Sequence, residues 1–448
     1  MTAKLDANHT LVTATLTASP DDRINGWNDQ PNSRGTLDIL WMCLSTTFLC
    51  TYAILCLNCP ARNEGFWRTQ ARKLLWMGIA IAGPEFVLTA AAGQLAAARD
   101  SVKSFHALGF TKWTYRHGFF ANMGGFELVP ADGGPFRINS KHIHWLVSRG
   151  YIGVPEVSDE ELWDKSKQDT IAKLITCTQV AYLILQCIGR AASGLALTTI
   201  ELSTVAIVGC TIMTNVYYPV QIKMDISMGQ ILQEAGPIAA RPYRQTPLDF
   251  VDDLRPSWAL NIQTFMRMPV GPFQRPIPRI GDSRLPWLTW TESSVLCLAT
   301  LAYASIHLIG WNFEFPSKTE QILWRVSSLI LLGTTVAFWI LESVAMWYRY
   351  GGGQEILLKL FTTRTASIDS AASTEPKQTY TDNNTYLHET PFEPRELPLS
   401  WEFWSIFPIA FIYGNARTYI LVETLVGLRS LPWTTYLTVE WAQFFPHI

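Results

Sequence analysis

Apolar blocks of roughly 18–25 residues alternate along this chain with long polar connectors, and that is the length a helix needs to cross bilayer hydrocarbon. A buried helix of a soluble protein seldom runs so far without charge on one face. Seven blocks read as spans: Thr36–Leu57, Leu74–Ala98, Thr170–Gly189, Leu195–Tyr218, Thr291–Leu308, Ile322–Tyr348 and Trp401–Gly427. Only a few residues around Arg190 separate the third from the fourth, which predicts an antiparallel hairpin. Trp and Tyr gather at block ends (Trp41, Trp76, Tyr217, Tyr218, Trp290, Trp347, Tyr348), as interfacial belts do. The expected fold class is all-α, an integral membrane bundle of about seven transmembrane helices with long connecting loops.

The same pattern divides the chain. Residues 1–35 form a lumenal tail without an apolar core, so no cleavable signal peptide is expected and the first helix serves as insertion signal. Residues 36–98 hold helices one and two, and 99–169 an aromatic-rich lumenal connector with Phe105, Trp113, Phe119, Phe120, Phe126 and Trp145, too apolar for a disordered linker. Residues 170–218 form the hairpin, and 219–290 a connector whose ten prolines forbid a continuous helix. Residues 291–348 hold helices five and six. A Ser/Thr-rich loop at 349–400 reads as disordered, and 401–448 hold the seventh helix and a tail. Arg62, Arg68, Arg72 and Lys73 in the first short loop favour the cytoplasm. Seven spans then place the N-terminus in the lumen, together with the two glycosylation sequons at Asn8 and Asn383, which six spans separate.

Composition narrows the chemistry. A formal charge of −2 and no dense basic cluster argue against nucleic acid. The eight cysteines are scattered in or beside apolar blocks, so buried small hydrophobes are the default even for the Cys56-x-x-Cys59 pair. No P-loop, G-x-S-x-G or H-E-x-x-H occurs, which disfavours hydrolase, protease and nucleotide-driven pump readings. His142 and His144 would share one side of a strand, as two metal ligands can, but no third ligand accompanies them. Asp252-Asp253 lacks the rest of a D-D-x-x-D diphosphate motif. Neither a metal nor another cofactor is expected.

Ionisable groups at membrane depth are costly and therefore candidates for function. Glu85 lies near the middle of the second block and Arg417 near the middle of the last. Arg190, Glu201 and Glu423 lie toward one set of helix ends, Asp38 and Glu342 toward the other. One reading is structural: Glu85 pairs with Arg417, and Arg190 with Glu201 or Glu423, to bury their charge. The other is a polar pathway or catalytic cavity. The two exclude each other in part, because an arginine partner lowers a carboxyl pKa whereas a general acid needs it raised. The carboxyls considered as catalytic acids are Glu85, Glu201 and Glu342.

Several stretches, taken in order, resemble a large family of fungal polytopic membrane proteins. They are Arg34-Gly-Thr-Leu-Asp38-Ile-Leu-Trp41, Ala82-Gly-Pro-Glu85, His117-Gly-Phe-Phe-Ala-Asn-Met-Gly-Gly-Phe126, Gly194-Leu-Ala-Leu-Thr-Thr-Ile-Glu201, His307-Leu-Ile-Gly-Trp-Asn-Phe-Glu-Phe-Pro316, and the close from Ala416-Arg417 through Leu428-Arg-Ser-Leu-Pro432. In size and span number the chain also resembles the membrane terpene cyclases of ascofuranone-type meroterpenoid pathways. That resemblance implies acid-initiated cyclisation of an isoprenoid, epoxidised or not, by a buried carboxyl without metal, in a cavity whose aromatic walls steady the cation. It implies a hydrophobic small-molecule substrate and residence in the endoplasmic reticulum or another endomembrane. Two other classes stay open: a non-catalytic membrane scaffold or receptor working through its connectors, and a small-molecule transporter, for which repeats and matched broken helices would be expected.

Overall fold

The computed structural model describes residues 23–28, 34–61, 64–130, 135–148, 150–158, 160–162, 170–217, 230–235, 280, 288–349 and 400–439. Asn8, Asp252, Asp253 and Asn383 lie outside them. Every apolar block of the sequence is helical. In chain order the helices are α1 (Thr36–Ala53), α2 (Phe66–Ala82), α3 (Pro84–Ala107), α4 (Tyr115–Asn122), α5 (Ser140–Ser148), α6 (Thr170–Ala192), α7 (Thr199–Tyr217), α8 (Trp290–Ile306), α9 (Lys318–Arg349) and α10 (Ser400–Val426).

Among the described residues four helical stretches are long and apolar enough to cross a membrane: Thr36–Ala53, Leu174–Ala192, Trp290–Asn312 and Lys318–Ala345. The pair α2–α3 qualifies as a fifth only if its two helices are taken together. Large apolar side chains on these helices and on α10, such as Trp41, Leu174, Leu298 and Phe411, are exposed to an extent unusual for a protein surrounded by water.

One expectation is corrected and another refined. The block Leu74–Ala98 is not one helix but α2 and α3, bent by 112° at Gly83. Pro84 explains the break: it has no N–H to donate to the preceding turn, and its ring clashes there, yet it suits the first position of a new helix. The described residues are mostly helical, as expected, with a few short strands beside the helices. Strand β1 (Arg23–Asn25) pairs antiparallel with β5 (Ser430–Pro432), and β2 (Phe126–Pro130) lies between antiparallel β3 (Phe136–Ile138) and parallel β4 (Gln230–Ala235).

The β1–β5 ladder has a topological consequence. It joins the segment just before α1 to the segment just after α10, so the chain enters and leaves the bundle at the same end. Seven consecutive end-to-end helices would leave those segments at opposite ends. Other links confirm this terminal end. Arg34 before α1 pairs with Glu201 at the start of α7, 2.5 Å away. Arg190 near the end of α6 donates to the carbonyls of Thr434, Thr435 and Leu437 beyond α10. Glu320 at the start of α9 pairs with Arg429.

The opposite, connector end carries a folded unit with a core of its own, built from Phe105, Trp113, Phe120, Phe126, Leu128, Phe136, Ile138, Ile143 and Leu146. Phe105 stacks on Trp113 at 4.0 Å between ring centroids, and Phe120 meets Phe126 edge to face. Gly118 lets α4 lie directly on α3, because a Cβ there would stand 2.9 Å from the Ala98 carbonyl oxygen. His142 and His144 sit on helix α5, not on a strand, and two residues apart on a helix they do not share a face. The His142 ring accepts from the Asn139 N–H, and His144 packs edge-on against Phe105. Among the described residues no group of His, Cys, Asp and Glu could hold a metal ion. Cys56 and Cys59 are buried in the apolar cluster that joins α3, α4 and α8.

Candidate functional site at the broken helix

A helix that stops inside a bundle exposes carbonyls at one stump and N–H groups at the next, with partial negative and positive charge respectively. At the α2–α3 break the chain meets both needs with charged side chains. Arg417 of α10 donates from Nε to the Ala82 carbonyl (2.9 Å) and from Nη2 to the Ile81 carbonyl (3.1 Å), closing the end of α2. Glu85 lies in the first turn of α3, where the helix dipole favours an anion.

Glu85 and Arg417 are therefore neighbours without a direct salt bridge. The remaining Arg417 nitrogen, Nη1, lies 2.9 Å from His307 Nε2. A guanidinium can only donate, so Nε2 accepts and the His307 proton sits on Nδ1. Trp324 donates to the His307 carbonyl, and the Arg417 guanidinium lies over the Tyr303 ring, 5.5 Å from its centroid. Arg417 and His307 are almost wholly buried.

Glu85 is half-buried and receives the Tyr413 hydroxyl on Oε1. Its second oxygen, Oε2, is shielded from solvent and has no hydrogen-bond partner, and so is the Tyr303 hydroxyl. Phe86 lies edge-on to Tyr413, 6.3 Å between centroids, and is 56% exposed on the flank of the bundle. The site thus combines a carboxyl, two phenols, an indole and a phenyl ring, with one side open to the surroundings of the helices.

The other charged residues read from the sequence lie elsewhere. Glu201 is bound on both oxygens: Arg34 holds Oε1, while the Thr198 N–H and hydroxyl hold Oε2 at 2.8 Å each. Thr198 in turn accepts from the Glu201 N–H, which makes a capping box that starts α7. Glu201 serves as a cap and a buried ion pair, and neither oxygen is left for a substrate. Arg190 pairs with neither Glu201 nor Glu423; all its contacts are backbone carbonyls, including Ala196 at 2.7 Å. Glu423 receives the Tyr419 hydroxyl at 3.3 Å. Glu342 lies on α9, 18 residues and about 27 Å of helical rise beyond Trp324, apart from the break. Asp38 caps α1 by accepting from the Gly35 N–H at 2.9 Å.

Sequence reasoning found Glu85 and Arg417 but gave no role to Tyr413, Tyr303, His307 or Trp324. The Tyr413–Arg417 spacing of four residues, which places both on one helix face, was the available signal for the first.

The chain belongs to a family of unknown function (DUF8562), whose model matches residues 7–237 and 291–448. No curated protein and no solved structure matches it.

Proposed function

We propose that this member of the family is a membrane-embedded enzyme of the terpene-cyclase type, and that Glu85 starts the cyclisation of an isoprenoid by giving up its proton. The observation that carries this reading is the Glu85 carboxyl itself: flanked by aromatic rings, not salt-bridged to an arginine, and with one buried oxygen free of any partner. Long apolar helices with exposed apolar flanks support placement in a bilayer, where an isoprenoid would reach the site sideways past Phe86. The resemblance to fungal polytopic membrane proteins and to ascofuranone-type cyclases points the same way and suggests an endomembrane.

The step needs no co-reactant. The Glu85 O–H bond breaks, the proton bonds to an alkene carbon or an epoxide oxygen, and the positive charge moves to a substrate carbon. Ring closure carries that charge along the chain. The carboxylate left behind is steadied by the Tyr413 hydroxyl, the first turn of α3 and the nearby Arg417, none of which has to move. Aromatic faces attract the cation. Loss of a proton from the final cation restores the acid.

The transporter reading is the runner-up, favoured by the helix break, since half-helix ends at mid-depth often bind substrate in carriers. One experiment separates the two. Microsomes holding the protein or Glu85→Gln are given linear isoprenoids and their terminal epoxides, and products are resolved by mass spectrometry. A cyclic isomer of unchanged mass, falling by roughly two to four decades in Glu85→Gln with protein level kept, is the expected result. Uptake or release of unaltered substrate would favour the carrier.

A further inference from the structure

We propose that α2 and α3 form a re-entrant hairpin, entering from the connector end, turning at Gly83 and leaving at the same end, so that the chain crosses the bilayer six times. This rests on the reading that the bundle lies in a membrane, but not on any catalytic role.

Three observations carry it. The first is the β1–β5 ladder, which requires an even number of crossings between Asn25 and Ser430. Among the described residues six helices connect the two ends. Helices α1, α7 and α9 start at the terminal end and α6 and α10 finish there, as the Arg34–Glu201, Glu320–Arg429 and Arg190 contacts fix, and α8 leads into the start of α9 through His307–Asn312. Helices α1, α6, α8 and α9 belong to the four long apolar stretches, and we count the shorter α7 and also α10 with them. The pair α2–α3 is the element left over.

The second is where the outer ends of the pair lie. Arg99, late in α3, pairs with Glu292 in the first turn of α8, at the connector end. The Cys59 N–H, just after α1, donates to the Met123 carbonyl just after α4 at 2.9 Å. Cys59 packs in one apolar cluster with Ala98 of α3, and Glu64, five residues further on, pairs with Arg72 in the first half of α2 at 2.7 Å, so the start of α2 lies with the end of α3.

The third is the depth of the turn. Arg417, which holds the carbonyls of Ile81 and Ala82, stands nine residues or about 14 Å before the end of α10, and Tyr413, which holds Glu85, about 20 Å before it. Since α10 has 27 residues, the turn reaches only its middle. A bend of 112° reverses the chain's progress across the bundle, as a hairpin needs and a kinked span does not.

The device gives the break a purpose. A continuous helix could not present backbone ends and a carboxyl at mid-depth; a hairpin tip can, and Arg417 makes the tip tolerable in an apolar surrounding.

The topology is tested in the full chain by single cysteines at Trp67 and Lys112, flanking the hairpin, and at Asn25, before α1, all exposed. Sealed microsomes are treated with a membrane-impermeant maleimide, and labelling above that of the parent protein is read before and after permeabilisation. The hairpin requires Trp67→Cys and Lys112→Cys to label from one face and Asn25→Cys from the other. Four arginines and lysines near the start of α2 assign the first face to the cytoplasm. It would also place Asn8 and Asn383 on opposite faces, so that at most one is glycosylated, in contrast to the seven-span arrangement. Labelling of Trp67→Cys and Lys112→Cys from opposite faces, or of all three from one, overturns the proposal. Turnover is not read, so failure here leaves the cyclase reading standing, and absence of turnover leaves the topology standing.

Discussion

Arg417 and Glu85 do not neutralise each other; each serves one stump of a broken helix. Arg417 binds the carbonyls that α2 leaves exposed at Ile81 and Ala82, and Glu85 sits at the start of α3 under the Tyr413 hydroxyl. The cation meets a negative helix end and the anion a positive one. An intramembrane charge pair expected on cost alone is thus replaced by an arrangement in which the backbone is the partner.

Replacing Arg417 should therefore cost stability more than a lost surface charge would. Arg417→Met leaves two carbonyls and the His307 ring nitrogen without their donor, and about 2–5 kcal/mol of stability should be lost. Arg417→Lys, whose compact ammonium cannot span all three acceptors, should fall between. Thermal unfolding in detergent measures both. A midpoint unchanged in Arg417→Met would contradict the capping role.

The ion pair at the terminal end should be coupled. Glu201 is wholly buried and Arg34 nearly so, so Arg34→Met should cost about 3–5 kcal/mol by stranding the carboxylate. In Glu201→Gln the amide oxygen can still accept from Thr198, and adding Arg34→Met to it should cost far less than in the parent. The double-mutant cycle is expected to show a coupling of about 1–3 kcal/mol. Strict additivity would mean the pair contributes nothing.

At Gly118 a methyl group has no room. Gly118→Ala puts Cβ against the Ala98 backbone and should separate α4 from α3, with a loss of about 1–3 kcal/mol. Gly333 on α9, where nothing lies within 4 Å of such a Cβ, is the control. Gly333→Ala should be neutral or slightly stabilising. Equal effects at the two sites would refute the close-approach argument.

Cys59, in the loop after α1, has its thiol pushed up to about 11 by burial, against a smaller opposing pull from Arg137. A raised thiol pKa keeps the reactive thiolate scarce at neutral pH, about one part in ten thousand at pH 7. Cys59 should accordingly react with N-ethylmaleimide far more slowly in folded than in unfolded protein at pH 7, and become reactive only at strongly alkaline pH or on unfolding. Peptide mapping after timed labelling would show this. Cys59 labelling as fast in folded as in unfolded protein at pH 7 is the result that would contradict it.

Hydrophobic patterning alone determined that the apolar blocks are helices, that a tight hairpin joins the segments on either side of Arg190, and that Glu85 and Arg417 stand out as charges among apolar neighbours. Helices are legible because their periodicity and capping are local: Pro84 announces a helix start, and Thr198 with Glu201 a capping box, within four residues each. Tertiary structure alone decided that the second block turns back, that the two flanks of the bundle meet in the β1–β5 ladder, and that Arg34 rather than Arg190 balances Glu201. These rest on contacts between residues far apart in sequence, such as Arg23 with Ser430, 407 positions away. No local propensity encodes such contacts. Pro84 permits a kink or a reversal equally, and only the Arg417 donors and the helices packed around the stumps select the reversal.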